Sequence, residues 1–168
     1  MSERCFVGLG ANLGNAPEAV LAAIGAIGRL PATAVLRASS LYRTPAWGLT
    51  AQPDFINAVV MLDTAREPLA LLEDLLAIER DAGRDRSSAT RWGPRALDLD
   101  LLLYGDHTID VPGLHVPHPH LHERAFVLVP LVEIAPDAHI PGVGPARDCA
   151  AAMESAGMQA LTYGAPSA

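Results

Sequence analysis

Two aspartates one residue apart, Asp98 and Asp100, alternate with leucines in the run Leu97-Asp98-Leu99-Asp100-Leu101. Alternation with period two marks a half-buried strand. On a strand, Leu97, Leu99, Leu101 and Leu103 line one face and the two carboxylates share the other, roughly 6.6 Å apart along the backbone. A helix would point the two acids in nearly opposite directions. Paired carboxylates repel unless a cation lies between them. Hard oxygen donors, with no thiolate or imidazole in the motif, favour Mg²⁺ over Zn²⁺. Just upstream stand Arg80, Arg84, Arg86, Arg91 and Arg95, side chains suited to holding phosphate. Acids for magnesium beside arginines for phosphate predict an enzyme that handles a nucleoside triphosphate. The plainer alternatives are a polar strand face for the aspartates and a solvated loop for the arginines.

The rest of the composition narrows the partners. All 12 basic residues are arginine and the net charge is −7, so positive charge is local in an acidic chain. That balance argues against a nucleic-acid surface and for a small anionic ligand. Without lysine there is no Walker A loop. The chain of 168 residues fits one domain with a proper core. We expect that domain to span 1–168, with its core at about 5–141 and a less informative tail at 142–168. Half the residues are apolar and mean hydropathy is +0.22, yet no uncharged apolar run approaches the roughly 18 residues of a membrane span. The N-terminus lacks the apolar core of a signal peptide, and Cys5 and Cys149 are too few for a disulfide framework. The expectation is a cytoplasmic monomer with small-molecule substrates, no nucleic acid and no membrane.

Elements must bring these groups together. Cys5 to Gly10 reads as a strand running into a glycine-rich strand-to-helix turn, Gly8-Leu9-Gly10-Ala11-Asn12-Leu13-Gly14-Asn15. Its third glycine falls one residue late for a Rossmann fingerprint. Asn15, Pro17 and Glu18 signal a helix start, with Val20, Ile24 and Ile27 as its buried stripe and Pro31 as its stop. Thr33 to Tyr42 is a second strand, followed by a turn-rich loop to Pro53. Phe55, Asn57, Val59 and Met61 share one face of a third. Pro68 opens a second helix, with Leu69, Leu72, Leu75, Leu76 and Glu79 near one side, stopped by Gly83. A polar loop at 84–90 precedes the Asp-x-Asp strand, and an apolar helical stretch follows from Glu123 to Ile134. An Ala-rich helix is expected around Asp148 to Ser155. The order β-α-β-β-α-β is that of an α+β, ferredoxin-like fold: an antiparallel sheet with helices packed on one side.

Four blocks in this order resemble the 6-hydroxymethyl-7,8-dihydropterin pyrophosphokinases of folate biosynthesis. They are Gly8-Leu9-Gly10-Ala11-Asn12-Leu13-Gly14; Tyr42-Arg43-Thr44-Pro45 with Gln52-Pro53-Asp54-Phe55-Ile56-Asn57-Ala58; Arg91-Trp92-Gly93-Pro94-Arg95 with Leu97-Asp98-Leu99-Asp100; and Val116-Pro117-His118-Pro119 with Glu123-Arg124-Ala125-Phe126. The third block is highly specific. That family's fold is ferredoxin-like, in agreement with the element order. The resemblance implies transfer of diphosphate from ATP to the pterin hydroxymethyl oxygen with release of AMP. It implies two Mg²⁺ ions on Asp98 and Asp100, and phosphate-gripping Arg84 and Arg95 as catalytic partners. Glu79, Arg84, Arg86, Arg91, Trp92, Arg95, His118 and Arg124 match the ATP side. For Glu79 the plain alternative is a surface acid at a helix end. Phe55 and Asn57, on one strand face, suit a flat ring with a donor/acceptor edge. Phe126 is the second wall by family position, and Thr44, Pro45 and Trp47 match the pocket's loop. Otherwise both phenylalanines are ordinary core.

His118-x-His120-x-His122 could suggest zinc, but Pro117 and Pro119 interrupt regular geometry and no fourth ligand follows. Two other readings remain: a ferredoxin-like ligand-binding or regulatory module without catalysis, and a different Mg-dependent nucleotidyl enzyme. The nucleotide product separates them, AMP for the pyrophosphokinase, ADP for a kinase, neither for a module.

Overall fold

A computed structural model of the chain describes residues 2–45, 53–83, 96–153 and 157–161. Strand β1 (Glu3–Ala11) leads to α1 (Ala16–Gly28), β2 (Thr33–Ala38), β3 (Leu41–Thr44), β4 (Phe55–Thr64), α2 (Pro68–Asp81) and β5 (Asp98–Tyr104). A hairpin of β6 (Ile109–Val111) and β7 (Leu114–Val116) follows, then α3 (Ala125–Ile134), the short strands β8 (His139–Ile140) and β9 (Gly144–Pro145), α4 (Ala146–Ala151) and β10 (Gln159–Leu161).

All pairings in the main sheet are antiparallel, in the order β10-β3-β4-β1-β5, with β2 also on β4. Ignoring β10, this is the ferredoxin-like order expected from the sequence. The second strand of that pattern is split between β2 and β3. The break falls at Ser39, whose hydroxyl accepts the Val59 amide at 2.9 Å while its own amide donates to the Val59 carbonyl. A side chain thus replaces one rung of the ladder.

Helix α1 begins as its sequence predicts: Asn15 Oδ1 accepts the Glu18 amide, and Val20, Ile24 and Ile27 are buried. With α2 it covers one sheet face, against Cys5, Val7, Leu9, Leu99 and Leu101. The stripe of α2 is Leu71-Leu75-Glu79 at i, i+4, i+8. Leu69, expected among them, is 51 % exposed, because the first turn points it away from the sheet. Helix α3 caps part of the opposite face, burying Val127, Leu128 and Leu131 against Phe6, Val59 and Met61.

Two further sequence expectations need correction. Gly8 and Gly10 lie inside β1 rather than in a turn; the turn is confined to residues 12–15. Leu103 does not share the face of Leu99 and Leu101. The register shifts between Phe6 and Val7, so β5 carries an extra residue and Leu102 and Leu103 both join the α3 side. A bulge of this kind resets the alternation beyond it.

Candidate active site

Asp98 and Asp100 open β5 and stand on the face opposite the α1/α2 core. The register shows what lies beside them. Tyr42, Asn57, Gly10 and Asp98 are directly opposite one another on β3, β4, β1 and β5. One row further on come Val59, Gly8 and Asp100. Residues opposed in an antiparallel sheet share a face, so the carboxylates and Asn57 project to the same side. Two strand spacings, about 10 Å, separate the Asn57 and Asp98 rungs, and the strand between carries only glycine. Asn57 on one bank and two carboxylates on the other thus flank β1, whose Gly8 and Gly10 are buried beneath Leu102 and the Asn57 amide and add no side chain of their own to the trough between.

Each bank is held from outside. Asn57, 7 % exposed, donates through Nδ2 to Thr44 Oγ1 at 2.6 Å. Its Oδ1 lies over Gly10, where a Cβ would approach to 2.8 Å. Only glycine on β1 gives this amide its place. On the other bank, β5 is the sheet edge, and Glu79 comes from α2 to take the Leu99 amide on Oε2 at 2.7 Å. Glu79 is 3 % exposed, not the surface acid its helix-end position suggests. Its carboxylate fixes the residue between the two aspartates, a job that no pattern in the sequence marks. Asn12 is a second such residue: buried, it donates to the Pro53 carbonyl at 3.0 Å and ties the end of β1 to the segment two residues ahead of β4.

Further along the same edge, the His118 amide donates to the Leu102 carbonyl at 3.0 Å. His118 Nδ1 accepts the His120 amide at 3.2 Å. An accepting Nδ1 carries no proton, so the neutral ring holds its hydrogen on Nε2. Burial first, then the charge of Arg124 and the nearby His120, lower the His118 pKa to about 4. The Arg124 guanidinium sits over the Phe126 ring, 5.6 Å from its centroid, in cation–π range. Phe55 and Phe126 are both half-buried, so neither is sealed in the core. His120 instead turns toward Glu123, 3.3 Å away, and no group of three or more metal-binding side chains occurs among the described residues.

Thus Asp98, Asp100, Asn57, Thr44 and Phe55 gather on one sheet face, with His118 on the carboxylate edge. Pro45 ends the described part of its loop and is exposed. Trp47, Arg84, Arg86, Arg91, Trp92 and Arg95 lie outside the described residues.

Residues 6–136 match the model of the 7,8-dihydro-6-hydroxymethylpterin-pyrophosphokinase family. The chain belongs to this family. It is 48 % identical over 141 residues to the 2-amino-4-hydroxy-6-hydroxymethyldihydropteridine pyrophosphokinase of Pseudomonas aeruginosa, covering 84 % of this chain and 86 % of that one. With the pyrophosphokinase of the same description from Methylorubrum extorquens it shares 42 % over 156 residues, 93 % of this chain and 97 % of that one. Family membership makes the chain a pyrophosphokinase of folate biosynthesis using hydroxymethyldihydropterin. Among solved structures, the wild-type HPPK-DHPS of Plasmodium falciparum with pteroate superposes with a TM-score of 0.70 at 13 % identity. That likeness covers 90 % of this chain but 42 % of the other, so it bears on the fold alone.

Proposed function

We propose that this pyrophosphokinase moves the β,γ-diphosphate of ATP onto the hydroxymethyl oxygen of 6-hydroxymethyl-7,8-dihydropterin and releases AMP. The hydroxyl oxygen bonds to the β-phosphorus, the bond from that phosphorus to the bridging oxygen of AMP breaks, and the hydroxyl proton leaves to solvent. The observation that carries the reading is the row Asn57–Gly10–Asp98. A bicyclic ring whose edge meets the Asn57 amide directs its one-carbon arm along this row toward the carboxylates.

The donor set fits magnesium. Asp98 and Asp100 supply hard oxygens, and Cys5 is not a competing ligand: it is buried with the opposite core, and burial pushes its thiol up to about 12. Two carboxylates leave the remaining positions for phosphate and water, the usual environment of Mg²⁺ in phosphoryl transfer. Two ions held there would neutralise charge as it moves from the β-phosphorus to the leaving oxygen. The chain's residues do the positioning. Asn57 orients the ring, Phe55 and Phe126 wall it, and Thr44, Pro45 and Trp47 are assigned to its loop. Glu79 keeps the carboxylates in register, and His118 and Arg124 meet the nucleotide. Arg84, Arg86, Arg91, Trp92 and Arg95 are assigned to ATP, with Arg84 and Arg95 acting on the transferring phosphates.

Two free cysteines, and few large apolar side chains exposed among the described residues, support a cytoplasmic monomer. No helix of the described residues is long and apolar enough to cross a membrane. The test is nucleotide analysis after incubation with ATP, Mg²⁺ and the hydroxymethyl pterin. AMP that requires the pterin and vanishes in EDTA is expected; ADP, or turnover in EDTA, overturns the reading.

A further inference from the structure

One side chain outside the trough joins the two elements that wall it. Glu133 lies in the last turn of α3, and Phe126 in the first. Seven residues make two turns, so both are on one side of the helix, about 10 Å apart. The Glu133 carboxylate accepts the Ser40 amide at 3.1 Å, the Ser40 hydroxyl at 2.7 Å and the Tyr42 hydroxyl at 2.7 Å. Two of these donors come from Ser40, just ahead of β3, and one from Tyr42 within it. Arg37 adds a bond to the Ile134 carbonyl at 3.2 Å.

The clamped strand is the one that orients the substrate amide. Tyr42 is directly opposite Asn57, and Thr44, two residues on, accepts the Asn57 Nδ2 hydrogen bond. Among the described residues, α3 otherwise buries apolar side chains, Val127, Leu128, Leu131 and Ile134, in one cluster with Val59 and Met61. Apolar contact is non-directional and holds the helix down without fixing its slide along the sheet. Hydrogen bonds to a single carboxylate do fix it.

We propose that Glu133 is a positioning residue for the pterin: by locking α3 to β3 it sets the gap between Phe126 and the Asn57–Phe55 wall. This rests on the function proposed above. Burial and the bond to Glu133 raise the Tyr42 pKa, so its hydroxyl stays a donor across the working range. Glu133→Gln keeps the size but turns an NH₂ toward converging donors. Tyr42→Phe removes one donor and keeps the ring.

The experiment measures pterin and ATP binding separately, with KM and kcat from AMP release, on the unmutated protein and both variants. For Glu133→Gln, pterin Kd and KM should rise about tenfold, while ATP affinity stays within about twofold. Tyr42→Phe should shift the same parameter by a smaller factor. A purely structural role would lower melting temperature and active fraction with both KM values unchanged, and that result overturns the proposal. Equal weakening of ATP and pterin overturns it too. If the unmutated protein neither binds pterin nor makes AMP, the functional reading has failed. If it does both and the variants match it, only the clamp has.

Discussion

The His118 ring allows a sharp test, because its charge state follows from two independent features. Its Nδ1 receives the His120 amide, and burial with Arg124 nearby lowers its pKa from the ordinary 6.5 to about 4. A depressed folded-state value means that, between the two pKa values, the unfolded chain binds more protons than the folded one. Stability is therefore retained above pH 6.5 and lost as pH falls toward 4. At pH 5 the unfolded histidine is almost wholly protonated and the folded one only about a tenth so, which gives a loss of about 1.8 kcal/mol relative to pH 7. The ring is only partly shielded, and screening by solvent brings the expected loss nearer ~1 kcal/mol. Urea titrations of the unmutated protein and of His118→Gln, each at both pH values, isolate this contribution from the other titrating groups. The unmutated protein should lose roughly 1 kcal/mol more than the variant. Parallel losses would remove the buried neutral histidine from the account. Long-range proton–nitrogen correlation spectra at neutral pH should identify Nδ1 as the bare nitrogen, and a proton found there would contradict the tautomer. A neutral Nε2–H donor also predicts that His118's share of ATP affinity is flat between pH 6 and 8, since the group changes charge well below that window.

Asp98→Asn and Asp100→Asn should each lower the rate of AMP release roughly 10²-fold or more, while leaving the fold intact by circular dichroism; near-normal rates in both would sink the metal assignment. Gly10→Ala places a Cβ at 2.8 Å from Asn57 Oδ1 and should displace the amide, weakening pterin binding about tenfold with ATP affinity unchanged. Calorimetry showing full pterin affinity in that variant would put the ring elsewhere than over β1. Glu79→Ala strips the Leu99 amide of its acceptor and should cost about 1–3 kcal/mol of stability, with a rate loss beyond what the reduced folded fraction explains. A rate that simply tracks the folded fraction would make Glu79 a structural group only.

The sequence makes some of this architecture legible and hides the rest for physical reasons. Periodicity finds β4, β5 and both core-facing helices, because burial on one face imposes a repeat of two or of 3.6. It misplaces Leu103 because a bulge changes the register without changing the composition of the strand. The three-residue β10 is missed because Gln159-Ala160-Leu161 has no repeat to read; it forms by pairing with β3, with Gly157 packed near Pro45. Glu79 and Glu133 are hidden differently. Each is an acid near a helix end, and nothing local separates a solvated acid from one that meets an amide on a strand far along the chain.

The glycines of β1 show how a site can be carried by residues with no side chain at all. Gly8-Leu9-Gly10 looks like a failed phosphate fingerprint, and the natural inference from such a run is a turn. In the sheet, the same alternation buries Leu9 in the α1/α2 core and puts no side chain of this run on the other face. Glycine weakens a strand interior and marks places where something must approach closely. At Gly10 the thing that approaches is the Asn57 amide. At Gly8, a Cβ would make only ordinary contact with Leu102, at 3.4 Å. Sterics therefore require glycine more strictly at position 10, the rung that joins the Asn57 amide to Asp98. Gly8→Ala should accordingly be much milder than Gly10→Ala in pterin affinity. That difference ties the need for glycine to the trough rather than to the strand, since both positions have the same secondary structure and only one lies under the amide.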